Sequence, residues 1–255
     1  MRSHNFSLMS RLLTLAAALA LVAAACGGDG EEEAQGADVQ AFCDAAVEGE
    51  AAVIASEGGG GDQVEPLVDR VAETAPDELA DEVGVIVAGV REAIETDDSS
   101  NLDSPEFREA DEAVDLYLLA NCGFEQTEVT AVEYEFQGVP ETLQAGRIAL
   151  DFVNGGAQVH EMGIVRIDEG VDLSVEELLD LPEKESDKLL TFVGSMVSPP
   201  GESDAQVLDL EPGRYGFACF IPEGATSLEQ LEEGGEDLGP PHFTLGMFGE
   251  FTVSA

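Results

Sequence analysis

The pattern of apolar positions changes once along the chain, from helical spacing to alternation. Between Asp38 and Gly123 the apolar residues recur every three or four positions, which is typical of helices that bury one face. Ser104, followed by Pro105 and Glu106, is a helix-start signal. The predicted helices run from Asp38 to the glycines at 58–61, over 64–72, onward from Pro76, and from Ser104 to Cys122. The pattern predicts a small four-helix bundle.

After Gly123 the apolar residues alternate with polar ones, which is typical of half-buried strands. Strands are predicted over 132–136, 148–152, 207–210, 214–220 and 248–253. The turn residues Glu211-Pro212-Gly213 predict a hairpin between two of them, and Ser174 with Glu177 fits a helix capping box. Residues 182–204 resemble an irregular insertion. Seven or so short strands indicate a Greek-key β-sandwich, so the fold class is α+β with two domains.

The first residues predict export and a membrane anchor. Arg2 and Arg11 flank the start of an apolar stretch that ends at Ala25, too short to span a membrane as a mature helix. Ala23-Ala24-Ala25-Cys26-Gly27 resembles the lipobox of bacterial lipoproteins, which implies a lipidated Cys26 and attachment at the outer face of the cytoplasmic membrane. The alternative is an ordinary cleaved secretory signal. The predicted organisation is a signal peptide over 1–25, an extended acidic tether over 26–37, a helical domain over 38–123 and a sandwich over 124–255.

The charge of the chain limits its partners. The formal net charge is −44, and the chain is nevertheless 44% apolar, which favours a packed core over disorder. Phosphate backbones would repel such a chain, so nucleic acid is excluded as a partner. Most of the carboxylates are interpreted as solubilising, and a redox partner with a basic surface is the functional alternative.

The cysteines and histidines predict a metal centre. Cys43 and Cys122 lie at the two ends of the helical region and suit a disulfide, worth roughly 4 kcal/mol in the chain-entropy model. Cys219 is then unpaired, and after the signal peptide only two histidines remain, His160 and His242. Met247 follows His242 by five residues. Two imidazoles, a thiolate and a thioether are the ligands of a blue-copper centre. Taken singly, each of these residues is better explained by a structural role, and it is their combination with the unpaired thiol that favours copper.

The region from 129 to 253 resembles the cupredoxins of the plastocyanin-like branch. The resemblance is carried by P-E-T-L-Q-A-G-R-I-A-L-D-F-V-N, E-P-G-R-Y-G-F-A-C and P-H-F-T-L-G-M-F-G-E-F-T-V. It implies one copper ion held by His160, Cys219 and His242, with Met247 as axial ligand and Asn154 on the strand before the first histidine. Phe217, Phe220, Phe243 and Phe248 are expected to form an apolar shell. Residues 220–241 are a departure, because the family joins the cysteine to the second histidine by a short loop; an exposed flap is expected here.

The predicted function is one-electron transfer by a membrane-anchored copper protein, not an enzyme. The sequence lacks a second histidine after His160-Glu161 for a zinc-protease motif, and it has no Gly-x-Ser-x-Gly nucleophile motif. Two alternatives stay open: a copper-free sandwich used for binding or as a structural envelope module, and copper capture or delivery.

Overall fold

The computed structural model describes residues 29–56, 61–232 and 238–255. The predicted signal peptide and Cys26 lie outside these residues. Within the described part, no helix is both long enough and apolar enough to cross a membrane.

The N-terminal half of the chain is a four-helix domain, as the helical spacing predicts. Its helices are α1 (Asp29–Ala55), α2 (Gly61–Thr74), α3 (Ala80–Thr96) and α4 (Pro105–Asn121). The side chain of Ser104 accepts a hydrogen bond from the backbone N–H of Phe107, so the predicted cap of α4 is present. The disulfide between Cys43 in α1 and Cys122 at the end of α4 is also confirmed.

The first helix begins earlier than the sequence pattern predicts. Helix α1 begins at Asp29, so most of the segment expected to be an extended tether is helical. The prediction used apolar spacing, which is absent before Val39. Glutamate and alanine favour helix through their intrinsic propensity, which does not depend on apolar spacing.

The C-terminal half is a sandwich of two sheets. One sheet has the order β2-β1-β4-β7 and the other the order β3-β9-β8-β5-β6. The strands are β1 (Glu125–Val132), β2 (Glu135–Gln137), β3 (Thr142–Gln144), β4 (Gly146–Asn154), β5 (His160–Ile167), β6 (Leu190–Ser198), β7 (Ser203–Leu210), β8 (Gly213–Ala218) and β9 (Phe248–Ser254). Three short helices lie between strands, α5 (Val175–Leu179), α6 (Glu183–Ser186) and α7 (Leu228–Glu232). The capping box at Ser174 and Glu177 is confirmed at α5.

Three details of the predicted strands are wrong. The turn at Glu211-Pro212-Gly213 joins no hairpin, because β7 pairs with β4 in one sheet and β8 pairs with β5 and β9 in the other. The hydroxyl of Tyr215 donates to the carbonyl of Glu211 at 2.8 Å and fixes this crossover between the sheets. Residues 132–136 are two paired strands instead of one, because the chain reverses at Glu133 and Tyr134.

The third correction concerns residues 182–204, which the sequence pattern predicts to be an irregular insertion but which contain β6. The buried positions of this strand are Gly194, Met196 and Ser198. A glycine and a serine on the inward face give no apolar alternation, so the sequence pattern conceals the strand.

The helical domain packs on the outside of the sandwich. Strand β4 is buried on both faces: Ile148, Leu150 and Phe152 face the core between the sheets, and Ala149 belongs to the core of the helical domain. Arg147 on the same strand forms ion pairs with Asp44 and Glu48 of α1. The bundle therefore packs on β4 and β7 of one sheet and also contacts β6 of the other.

Candidate metal centre

The structure brings His160, Cys219 and His242 together at one end of the sandwich. His160 is the first residue of β5, Cys219 directly follows β8, and His242 begins a short 3₁₀ turn before β9. All three side chains are fully buried. Their ligand atoms lie within 4.8 Å of one another, and the Sγ of Cys219 is 3.3 Å from the Nδ1 of His242. One ion can therefore contact all three.

Backbone hydrogen bonds hold the segments of Cys219, His242 and Met247 against each other. The N–H of Cys219 donates to the carbonyl of Met247 at 3.1 Å, and the N–H of Phe243 donates to the carbonyl of Cys219 at 2.9 Å. Met247 is fully buried and belongs to the same apolar core as Cys219. Three of the four ligands inferred from the sequence form one cluster, and the fourth is buried in a segment bonded directly to it.

The insertion at 220–241 does not separate the ligands, because its two ends pair with each other. The N–H of His242 donates to the carbonyl of Ile221 at 2.9 Å, and Pro222 forms a β-bridge with Pro241. The N–H of Glu223 then donates to the carbonyl of Pro240 at 2.9 Å. We call these paired ends, residues 221–223 and 239–242, the neck. The neck returns the chain to Cys219 as a short loop would.

Gln158 orients the ring of His242. Its Oε1 lies 3.4 Å from the Nε2 of His242 and also accepts a hydrogen bond from the N–H of Gly224. An acceptor at Nε2 favours the tautomer with its proton on that nitrogen, which leaves the lone pair of Nδ1 directed toward Cys219. The ring of Tyr134 covers His242 at a centroid distance of 4.9 Å.

His160 has buried ring nitrogens that its protein surroundings leave without hydrogen bonds. Neither Nδ1 nor Nε2 has a hydrogen-bond partner among the described residues. Glu133 lies 3.4 Å from Nε2, within ion-pair distance but without hydrogen-bond geometry. Leaving such atoms unpaired is costly, and a metal ion at Nδ1 would remove that cost. The donor set and this unpaired nitrogen both fit a metal ion.

The protonation states of the free ligands follow from their burial. Burial, together with the neighbouring His160, lowers the pKa of His242 to about 4, and burial lowers the pKa of His160 as well. Both rings are therefore neutral at neutral pH, as metal ligands must be. Burial raises the pKa of the Cys219 thiol to about 11, although hydrogen bonds from the backbone N–H groups of Glu161 and Ile221 act in the opposite direction. Binding of a metal would release the thiol proton.

The loop before His160 is fixed by Asn154. The buried Asn154 amide donates to the carbonyls of Gln158 and Ser198 at 2.8 and 2.7 Å, and its Oδ1 accepts from the N–H of Gly156. The N–H of Val159 donates to the carbonyl of Ala225 at 2.7 Å. These bonds tie the loop both to β6 and to the insertion.

Sequence reasoning missed the polar residues around the ligands and misplaced the aromatic ones. Glu133, Tyr134 and Gln158 come from elements distant in sequence, and in a chain so rich in carboxylates no signal distinguishes them. The expected apolar shell is wrong in part: Phe217 is buried, but Phe220 is 51% exposed and Phe248 packs in a separate cluster around α5. Phe220 and Phe243 instead form a ring pair beside the site, with centroids 5.2 Å apart.

Comparison with known proteins found similar solved structures only. No protein-family model and no curated protein matches the chain. A reduced auracyanin from Roseiflexus castenholzii shares 24% identity at a TM-score of 0.32, with 51% of this chain and 97% of that chain covered. Auracyanin A from Chloroflexus aurantiacus, described as a "blue" copper protein, shares 20% identity at a TM-score of 0.33, and the match covers 52% of this chain and 100% of that chain. A reduced rusticyanin shares 16% identity at a TM-score of 0.30, and the match covers 51% of this chain and 80% of that chain.

Each of these three matches covers about half of this chain. The chain's own two-sheet sandwich, with two histidines and a cysteine grouped at one end, agrees with the cupredoxin-like domain inferred from the sequence. That prediction is confirmed. The chain thus carries a cupredoxin-like β-sandwich behind a helical domain, with a group of side chains that could hold a metal ion.

Proposed function

We propose that this protein is a one-electron carrier that binds a single copper ion in its sandwich domain. The observation that carries the proposal is the grouping of two buried imidazoles and one buried thiol, with the Nδ1 of His160 lacking any other partner among the described residues. Two histidines and a cysteine with a weak axial methionine are the ligand set of electron-transfer copper sites. Met247 would supply its thioether as a fourth ligand in this proposal.

Copper supplies a centre that alternates between Cu(I) and Cu(II). The protein keeps the ligands in one arrangement: Gln158 and Tyr134 hold the ring of His242, and the sheet hydrogen bonds of β5 and β8 hold the neighbours of His160 and Cys219. The backbone N–H of Glu161 donates to the Sγ of Cys219 at 3.3 Å, which stabilises the thiolate. The full burial of the ligands keeps water away from them.

A carrier is favoured over copper delivery because the site is closed. Delivery requires a ligand that a recipient protein can reach, and neither His160 nor His242 has any exposed surface. An electron needs no such access. The exposed ring of Phe220 directly follows Cys219 and pairs with Phe243, so this pair is the proposed contact for a redox partner. The net charge of −44 favours a partner with a basic surface.

The proposed location is the outer face of the cytoplasmic membrane, through a lipid on Cys26. It is supported by the lipobox-like sequence and by the apolar stretch that precedes it. The protein would act as a carrier rather than as an enzyme.

The test is titration of the protein with Cu(II), followed by visible absorption. One equivalent should produce an intense thiolate-to-copper charge-transfer band, and Cys219→Ser should abolish it. Met247→Leu should keep the band and raise the reduction potential, whereas Met196→Leu, a matched change at a buried methionine of β6, should leave both unchanged. A colourless protein with no stoichiometric copper would overturn the proposal and leave the sandwich as a scaffold.

A further inference from the structure

The helical domain encloses a cavity that the copper proposal does not use. Its volume is about 450 Å³, which lies in the usual range for small-molecule sites. Most of its walls are apolar side chains from all four helices, including Val53, Val68, Val87, Val90, Phe107 and Leu118. It reaches the sandwich at Ser195 of β6 and Gln206 of β7.

One part of this cavity is acidic. Glu50 of α1 and Asp111 and Asp115 of α4 line it, and Asp111 and Asp115 lie on one face of their helix, four residues apart. Among the described residues these three carboxyls accept a single hydrogen bond, which the Gln206 amide donates to Glu50. Asp115 is only 7% exposed and has no hydrogen bond or ion pair to any described residue. The Oε1 of Gln206 is also buried without a partner.

The neighbouring charges do not offset these carboxyls. The groups whose charge acts on Glu50, Asp111 and Asp115 are carboxylates, including Asp204 of β7. Burial and this mutual repulsion raise the pKa of Glu50 to about 8 and that of Asp111 to about 6, and they raise the pKa of Asp115 as well. These carboxyls therefore keep their protons to a higher pH than free carboxyls do, and a cation placed among them would stabilise their ionised form.

We propose that the helical domain is a binding site for a small amphiphilic cation, an organic amine with an apolar body. Its ammonium group lies among Glu50, Asp111 and Asp115, and its body fills the valine-lined cavity. Glu50 and Asp111 are only partly buried, so the acidic end is open to the solvent from which the ligand enters. The proposal does not depend on copper.

A divalent metal fits the cavity less well. Ca²⁺ takes six to eight oxygen ligands at about 2.3–2.6 Å. Among the described residues, His160, Cys219 and His242 form the one group of three or more such side chains whose ligand atoms meet within 4.8 Å. The three cavity carboxyls do not meet in this way, and the apolar walls offer no further oxygens. An ammonium group needs fewer contacts, and its apolar body matches the remaining walls.

The test is isothermal titration calorimetry of the full chain at pH 8 in moderate salt, with octylammonium, 1-octanol and octanoate as probes. Salt screens the diffuse attraction of an acidic surface for cations, so that binding at the cavity dominates. We expect one octylammonium per chain, at least tenfold weaker binding of 1-octanol, and no binding of octanoate. Asp115→Asn should weaken octylammonium binding at least tenfold and leave 1-octanol unchanged.

Two further variants keep the outcome decisive. Glu185→Gln, at an exposed carboxylate of α6, should leave octylammonium binding unchanged, and Val87→Phe should abolish binding of both the amine and the alcohol because it fills the cavity. Circular dichroism of each variant verifies that the helices are intact. Equal losses in Asp115→Asn and Glu185→Gln would show adsorption to the acidic surface and overturn the proposal. Stoichiometric Ca²⁺ binding that Asp115→Asn removes, without octylammonium binding, would overturn it in favour of a metal site.

Discussion

At the scale of single residues, Gln158 links the ligands to the structures that surround them. Its Oε1 faces the Nε2 of His242 and accepts from the N–H of Gly224, while its Nε2 donates to the hydroxyl of Tyr134 at 3.2 Å. One amide therefore connects the second histidine, the insertion and the turn between β1 and β2. Groups that orient a metal-bound imidazole in this way contribute substantially to metal affinity.

Gln158→Leu should therefore weaken copper binding by roughly 10- to 100-fold, because His242 loses the acceptor that fixes its tautomer and ring orientation. The measurement is competition for copper against a chelator of known affinity, with the charge-transfer band as the signal. Gln137→Leu on β2 is the matched control, since that side chain is exposed and lies on a different element from Gln158. Equal copper affinity in both variants would show that Gln158 has no part in orienting the ligand.

At the scale of elements, the paired ends of the insertion explain how its length is tolerated. A long loop costs little more to close than a short one, but rigid ligand geometry needs fixed ends. The neck provides them through the bond from His242 to Ile221 and the bridge between Pro222 and Pro241. We expect the part of the insertion beyond Ala225, including α7, to be dispensable for the site, because Gly224 and Ala225 make its last bonds to the loop before His160.

Replacing residues 227–237 with a Gly-Ser-Gly-Gly linker should leave the charge-transfer band and the copper affinity unchanged within about twofold, because every bond of the neck remains. Absorption titration of the shortened protein measures this. As a comparison, Ile221→Pro with the insertion intact removes the N–H that donates to the Cys219 thiol and should weaken copper binding. Loss of the band on shortening would mean that the outer part of the insertion shapes the ligands directly.

The elements also show what the sequence can predict. The helical domain, the capping box and the strands with alternating apolar residues follow from local pattern, since each depends on residues near one another in the chain. The disulfide joins residues 79 positions apart and is predictable because its two cysteines lie at the two ends of the helical region. Strand β6 does not, because its inward face is glycine, methionine and serine. The ligand cluster is predictable because histidine and cysteine are rare here, whereas Glu133 and Gln158 are common residue types whose positions depend on tertiary contacts.

At the scale of the whole molecule, the two domains meet at a surface that contains buried acid. Glu50, Asp111 and Asp115 of the bundle face Asp204 of the sandwich, and Glu112 adds further negative charge. Asp204 is partly compensated by the N–H groups of Val197 and Ala205. Holding these carboxyls together is favourable only while some of them carry protons, so folding is linked to pH.

The stability of the molecule should therefore fall as the pH rises. Burial and repulsion raise the pKa of Glu50 to about 8, and those of Asp111 and Asp204 to about 6, all above their unfolded values, so the folded state binds protons that the unfolded state releases. The stabilisation is complete below about pH 4 and is lost progressively up to about pH 8, at about 1.4 kcal/mol for each unit of pKa difference.

Urea denaturation between pH 4.5 and 8.5 measures this loss. Glu50→Gln removes the carboxyl whose pKa is raised most among Glu50, Asp111 and Asp204, and it keeps an acceptor for Gln206. The free energy of unfolding of this variant should therefore change less with pH than that of the parent and should exceed it at pH 8.5. Glu185→Gln is the control for the general self-repulsion of so acidic a chain, since it removes one exposed charge that does not line the cavity. If the free energy of unfolding of the two variants changed with pH in the same way, the loss of stability would come from the overall charge and not from the carboxyls between the domains.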